Sequence, residues 1–277
     1  MTLIVLKMKK ETIMAMAMLA MLAGCAKYDE LSTSEGKMLT FNVNSSVSYE
    51  TRAGLSANGK ELTDLWMLDY QGGVLKQTIH QQSSEAGFGT VSAYFAQGEH
   101  NLYFVASRGD RATLDTEEHK ITWAKVSDTF YKSLAVDVSR AAASTNVTLG
   151  RATCKLKVSV DDDIPVDAQA MTIKIRSWYK GIDYIDGTAT DAVLSNFDVN
   201  ISDGTKSVST YSISPEAWTT DVTVSVKTAS GTESVSVKDV PLYRNRETTV
   251  HGNLFGSQQG LSIGVDDSWG EEAEKTW

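Results

Sequence analysis

The sequence predicts an all-β protein. Short runs alternate between apolar and polar residues, turn residues recur between the runs, and no long stretch carries a helical stripe. Ala152, Cys154, Leu156, Val158 and Val160 alternate with Thr153, Lys155, Lys157 and Ser159, giving one face for a core and one for water. Met171, Ile173 and Ile175 repeat the pattern, as do Val222, Val224 and Val226, and then Val235 and Val237. In the first half it recurs at Leu39, Phe41 and Val43 and at Leu134, Val136 and Val138, while the apolar run from Leu102 to Ala106 reads as a more deeply buried strand. Turn signals punctuate these runs at Gln71-Gly72-Gly73, Ser107-Arg108-Gly109-Asp110, Asp161-Asp162-Asp163 and Ser202-Asp203-Gly204. Many short strands with frequent turns mean sandwiches or barrels. A break fits best at Leu149-Gly150-Arg151, where the small-residue stretch Ala141 to Thr145 gives way to the cleanest strand in the chain. Two β-sandwich domains follow, residues 53–150 and 151–277, with no obvious internal repeat; one larger sandwich is the alternative.

The start of the chain is of a different kind. Lys7, Lys9 and Lys10 precede an apolar run, Ile13 to Ala23, too short to span a bilayer as a helix. The run closes on Leu22-Ala23-Gly24-Cys25, small residues placed directly before a cysteine. This is a secretory signal of the lipoprotein type, residues 1–24, with Cys25 as the acylated thiol and Met8 a plausible true start. An ordinary signal peptide with an incidental cysteine is the plainer alternative. Residues 25–52 follow, from Cys25 through the strand around Leu39, Phe41 and Val43 to Arg52.

Composition removes several functions. A net charge of −9 and a pI near 5.0 argue against nucleic acid as a partner, because neutralising phosphates needs clustered Lys and Arg. With Cys25 committed to lipid, Cys154 has no disulfide partner and reads as a buried thiol within a strand. His80, His100, His119 and His251 are scattered without metal-ligand spacing. Phosphate-loop, nucleophile-elbow and dinucleotide fingerprints are missing, and Gly87-Phe88-Gly89 lacks their context. No enzyme, metal or cofactor is expected. Asp161-Asp162-Asp163 reads as an exposed acidic turn, with calcium as the alternative. Asn44 and Asn146 stand in glycosylation-type triplets that an exported bacterial lipoprotein gives no reason to use. Trp178, Tyr179 and Trp218 read as packing residues, with a sugar-stacking platform as the alternative.

Two further segments carry the functional reading. Thr51-Arg52-Ala53-Gly54 follows the strand Met38 to Val43 and the polar stretch Asn44 to Glu50, so Arg52 sits where an Arg-specific protease has access. The run from Val240-Pro241-Leu242 through Arg244-Asn245, Thr248 and Val250 to Gly252-Asn253-Leu254 is a strand entered through a proline bend. Together with the Cys25 signal and the ending Leu261, Ile263, Val265, Asp267-Ser268-Trp269, these residues resemble the fimbrillin family, the type V pilins of anaerobic Gram-negative bacteria. The match follows the chain in order, and its most specific part is the segment from Pro241 to Leu254.

That resemblance implies two transthyretin-like sandwiches in series, no catalytic residue and no cofactor. It implies a palmitoylated outer-membrane lipoprotein made by the lipoprotein-processing machinery and cut by an Arg-specific protease between Arg52 and Ala53. The cut makes residues 25–52 a propeptide, releases the strand around Leu39, Phe41 and Val43 and leaves an apolar groove with unpaired backbone. A strand from another pilin subunit fills it, with Leu261, Ile263 and Val265 as donor residues, and the contact propagates into a cell-surface fimbrium used in adhesion. The acidic tail Gly270 to Lys275 places the end of the donor near Trp269, and the charged run Ala26 to Glu30 after the lipid cysteine suits a surface-export tag. The alternatives are an uncleaved anchor subunit, or a surface lipoprotein that binds polysaccharide through Trp178 and Trp218.

Overall fold

The computed structural model describes residues 36–46, 56–57, 60–108, 110–199, 201, 206–256 and 259–267. Cys25, Arg52 and Ala53 lie outside the described residues. Nineteen strands are present among those described. They are β1 (Lys37–Ser45), β2 (Ser56–Ala57), β3 (Lys60–Glu61), β4 (Asp64–Gln71), β5 (Val74–Gln82), β6 (Thr90–Phe95), β7 (Glu99–Ser107), β8 (Asp110–Asp115), β9 (Lys120–Lys125), β10 (Thr129–Asp137) and β11 (Ser144–Arg151). The second half supplies β12 (Thr153–Val160), β13 (Ala170–Asp183), β14 (Ala189–Val199), β15 (Ser207–Ile213), β16 (Ala217–Lys227), β17 (Thr232–Tyr243), β18 (Glu247–Asn253) and β19 (Gly260–Asp266).

The alternating sequences become strands with one dry face. Val222, Val224 and Val226 of β16 are buried, while Thr223 and Ser225 between them form hydroxyl pairs with Ser236 and Ser234 of β17. The first seven-stranded sheet runs β5-β4-β7-β10-β11-β1-β6. Its β10–β11 ladder is only two pairs long, Phe130 with Arg151 and Tyr131 with Gly150, so the sheet folds there into two layers. Leu39, Phe41, Val91 and Phe95 of one layer pack on Leu65, Met67 and Phe104 of the other. The second half lays the sheet β15-β12-β18-β19 on the sheet β17-β16-β13, to which β14, β9 and β8 are joined. Leu156, Val158 and Val250 meet Ile173, Val224 and Leu242 in its core. The all-β, tandem-sandwich architecture expected from the sequence is observed.

The two sandwiches share one connectivity. β1 runs parallel to β11 and antiparallel to β6; β12 runs parallel to β18 and antiparallel to β15. β4 lies between β5 and β7, and β7 pairs with β10; β13 lies between β14 and β16, and β16 pairs with β17. Seven strands are thus connected in the same way twice. The additions are the β8–β9 hairpin, the short β2–β3 pair and β19. The β8–β9 hairpin, encoded before residue 150, pairs with the end of β13 through Thr122–Gly181 and Ile121–Ile182, so residues 110–125 belong to the sheet of the second half.

A third core explains where the simple alternation ends. Leu68, Tyr70, Tyr103 and Val105 use the other face of β4 and β7, and meet Ile121, Trp123, Ile182, Tyr184 and Ile213. β13 serves both cores because a bulge between Ile175 and Trp178, with Ser177 at φ 56, redirects its second half. The Tyr70 and Tyr184 hydroxyls close this core with a 2.8 Å hydrogen bond. Beside it, buried Arg151 donates twice to Asp128, at 2.8 and 2.9 Å, and once to Asn245 Oδ1 at 3.0 Å, with Phe130 under the guanidinium.

Candidate functional site

The chain's first and last described strands are where the sequence places assembly. β1 is interior to its sheet, paired over six positions with β11 and over six with β6. Leu39, Phe41 and Val43 are all buried, and the Phe41 ring meets Phe95 and Phe104 edge-on at 5.8 and 5.7 Å. On the wet face Asn42 donates to Ser144 at 3.0 Å, and the Thr40 and Ser92 hydroxyls are 2.9 Å apart. The strand therefore holds β6 and β11 together from both faces.

β19 is a different kind of strand. Among the described residues it pairs only with β18, placing Leu261 opposite Gly252, Ile263 opposite Val250 and Val265 opposite Thr248. Leu261 is half-buried, but Ile263 is 40% and Val265 38% exposed although their strand partners are fully covered. These three residues form an apolar stripe on an open sheet edge. Gly252 makes the seat: at φ +153, a Cβ there would run into the Gly260 carbonyl and Leu261.

The other residues of the late-strand segment work within the fold. Leu242, Val250 and Leu254 are core, and buried Thr248 donates to the Pro241 carbonyl at 2.8 Å. Asn245, at φ 58, turns the chain between β17 and β18, accepts from Arg151 and donates its backbone N–H to Thr153. Arg244 donates to the Ser214 carbonyl at 2.9 Å. Sequence reading found this segment by resemblance; the contacts with Arg151 and Ser214 that explain it are long-range and have no local signal.

The remaining candidates resolve into structural roles. Trp178 is 1% exposed, packed against Trp218 in the second core, so a sugar-stacking platform on Trp178 is not available. The three aspartates diverge: Asp161 meets His251 at 2.8 Å, Asp162 accepts the Leu254 and Phe255 N–H groups, and Asp163 meets Lys206 at 2.8 Å. Among the described residues no three His, Cys, Asp or Glu converge on a metal position. Burial pushes the Cys154 thiol up to about 12, leaving it protonated and inert. Both ring nitrogens of buried His100 face oxygens, Asp69 at 2.7 Å and the Ala96 carbonyl at 3.0 Å.

A family model described as a family of unknown function (DUF6562) matches residues 95–277. Among curated proteins, none matches the sequence. Solved structures share the architecture at low identity. A protein from Bacteroides thetaiotaomicron described among putative polysaccharide binding proteins (DUF1812) superposes with a TM-score of 0.56 at 11% identity, covering 84% of this chain and 96% of its own. A putative adhesin from Bacteroides ovatus gives 0.54 at 8% identity over 78% and 87% of the two chains. A second putative adhesin, from Bacteroides thetaiotaomicron, gives 0.53 at 12% identity over 87% and 98%. The shared fold agrees with the resemblance read from the sequence.

Proposed function

The chain belongs to the DUF6562 family of unknown function, and we propose that it is a structural subunit of a surface fimbria that contributes to adhesion. In this reading it is exported as a lipoprotein through Cys25 and cleaved between Arg52 and Ala53. Propeptide 25–52 then separates from domains 53–150 and 151–277, and the subunit polymerises by donor-strand exchange. The adhesin descriptions of its structural neighbours are compatible with this role. The observation that carries the reading is the seat of β1. An N-terminal strand is interior to the first sandwich, supplies Leu39, Phe41 and Val43 to its core, and is followed by the segment holding Arg52.

Removing that strand opens a slot between β11 and β6 that needs both apolar side chains and a hydrogen-bonding backbone. β19 has the alternating stripe to fill it, in Leu261, Ile263 and Val265, and its present seat is an edge with a single neighbour. The contact is heterologous, so it propagates into a fibre.

The test is mass spectrometry of the N-terminus in material sheared from the native cell surface. An N-terminus at Ala53 in high-molecular-weight assemblies supports the cleaved, polymerised subunit. Acylated Cys25 confined to the membrane fraction overturns it and leaves an anchor subunit or a glycan-binding lipoprotein.

A further inference from the structure

β14 and β15 are the edge strands of the two facing sheets of the second sandwich, each bonded to one neighbour. Between them, away from β19, lies an open groove of about 450 Å³ that continues past the β9–β10 turn into a second of about 250 Å³. Lys125, Val126, Thr210 and Tyr211 line both parts, making them one continuous site.

The lining is chemically unusual for this molecule. The protein carries a net charge of −9, yet Arg108, Lys125 and Lys180 all open onto the groove. None of the three has an ion-pair partner among the described residues. The acid in the lining is Asp198, whose Oδ1 accepts from the Thr172 hydroxyl. Four buried side-chain polar atoms have no hydrogen-bond partner among the described residues, and two of them belong to this groove: Ser127 Oγ in one part and Ser195 Oγ in the other. Buried hydroxyls are ordinarily satisfied; both oxygens are closed to solvent, so each reaches a partner in the groove by rotation about χ1. Half-buried Tyr211 and Phe197 add apolar ring faces to the same walls.

We propose that this groove binds an acidic saccharide. Its carboxylates are held by Arg108, Lys125 and Lys180, a pyranose face lies against Tyr211 or Phe197, and its hydroxyls meet Ser127 and Ser195 once those side chains rotate about χ1 into the groove. Cations supply charge-assisted contacts to carboxylate. Hydroxyl-rich walls with aromatic faces suit a ring that is polar at its rim and apolar on its faces. The groove neither uses β1 nor β19, so this site does not rest on the assembly reading.

The experiment is calorimetric titration of the purified full-length protein with α-1,4-linked hexagalacturonate. Parallel titrations use its fully methyl-esterified form and hexaglutamate. Saturable binding of the hexagalacturonate is expected, weakening as salt rises, with the ester and the peptide at least tenfold weaker. Lys125→Glu and Lys180→Glu, checked for unchanged melting, each lose roughly tenfold or more in affinity. Lys227→Glu, exposed on β16 outside the groove, leaves affinity unchanged. Absence of hexagalacturonate binding, equal affinity for the ester, or indifference to both groove substitutions overturns the proposal. Equal affinity for hexaglutamate assigns the groove to acidic peptide and overturns the saccharide.

Discussion

A chain that starts at Ala53 lacks β1, and the cost of that loss follows from what β1 buries. Leu39, Phe41 and Val43 are 1%, 1% and 3% exposed. At roughly 1.5–3 kcal/mol for each fully buried large apolar side chain, the three together contribute about 4.5–9 kcal/mol. Domains of this kind are stable by only about 5–15 kcal/mol in total. Twelve backbone pairings, six to β11 and six to β6, are lost as well. The truncated first sandwich is therefore expected to open, or to take a strand from elsewhere. Size-exclusion chromatography with thermal unfolding is the assay, run on the Ala53 chain alone and with added peptides. The chain alone should self-associate or melt early, and a peptide of residues 36–46 should restore a monomer with the native melting temperature. If a peptide of residues 259–267 restores it too, β19 is a competent donor. Restoration by 36–46 but not 259–267 removes Leu261, Ile263 and Val265 from the donor role while the groove stands. A stable, monomeric Ala53 chain indifferent to both peptides would refute the reasoning.

Three further outcomes are expected. Gly252→Val places side-chain atoms where the Gly260 carbonyl and Leu261 lie, and should release β19 at a cost of about 1–3 kcal/mol; limited proteolysis should then cut after β18, and an unchanged digestion pattern counts against this account of the seat. Arg151→Met alone leaves the Asp128 carboxylate buried without its partner, and should cost about 3–5 kcal/mol by chemical denaturation. Arg151→Met combined with Asp128→Leu should cost less than the two singles summed; strict additivity would show that the pair is not coupled. For Cys154, burial raises the folded-state value from 9.0 to about 12, so the folded protein keeps a proton that the unfolded chain loses. Stability from this group is full below pH 9 and falls by about 1.4 kcal/mol per unit between pH 9 and 12. Cys154→Ala should flatten that part of the wild-type loss, measured as denaturation midpoints at pH 8 and 10, and parallel pH profiles would contradict the assignment.

The strands legible in the sequence are those with one face in a core and one in water, as at Leu39–Val43, Ala152–Val160 and Val222–Val226. β4 breaks that rule. Leu65 and Met67 enter the first core while Leu68 and Tyr70 enter the third core, so its exposure no longer alternates. The membership of β8 and β9 in the second-half sheet was illegible because their partner, the end of β13, lies far along the chain. The duplicated connectivity was hidden because it lies in which strands pair, β1 with β11 and β12 with β18, and no local run of residues records that. Aromatic composition pointed to Trp178 as an alternative sugar platform, yet burial removes it. The groove lined by Lys125, Lys180, Ser127 and Ser195 draws on separate strands; Trp178 lies in its wall but is 1% exposed, so the local aromatic pattern marks the place and not the contacts.

The duplication also sets apart the two ends of the described chain. In the second sandwich the chain continues past β18, turns, and lays β19 along the outer edge. In the first sandwich β11 holds the place of β18, but only Ala152 separates β11 from β12, so the chain has no length to fold back along that edge. The Ala143 and Leu149 carbonyls accept from Thr40 and Ser46 on the β1 side. By strand alternation, the backbone groups of Ser144, Asn146 and Thr148 face away from β1, where no strand pairs with them among the described residues. Among the described residues the first sandwich thus carries an edge on β11 that no strand covers, while the second carries an apolar strand held by one neighbour. The β11 edge and the slot left by β1 are therefore two distinct acceptors for a donor strand, and the fimbrial reading uses the slot. In that reading a donor strand on the second sandwich and an acceptor slot in the first give the polymer its polarity.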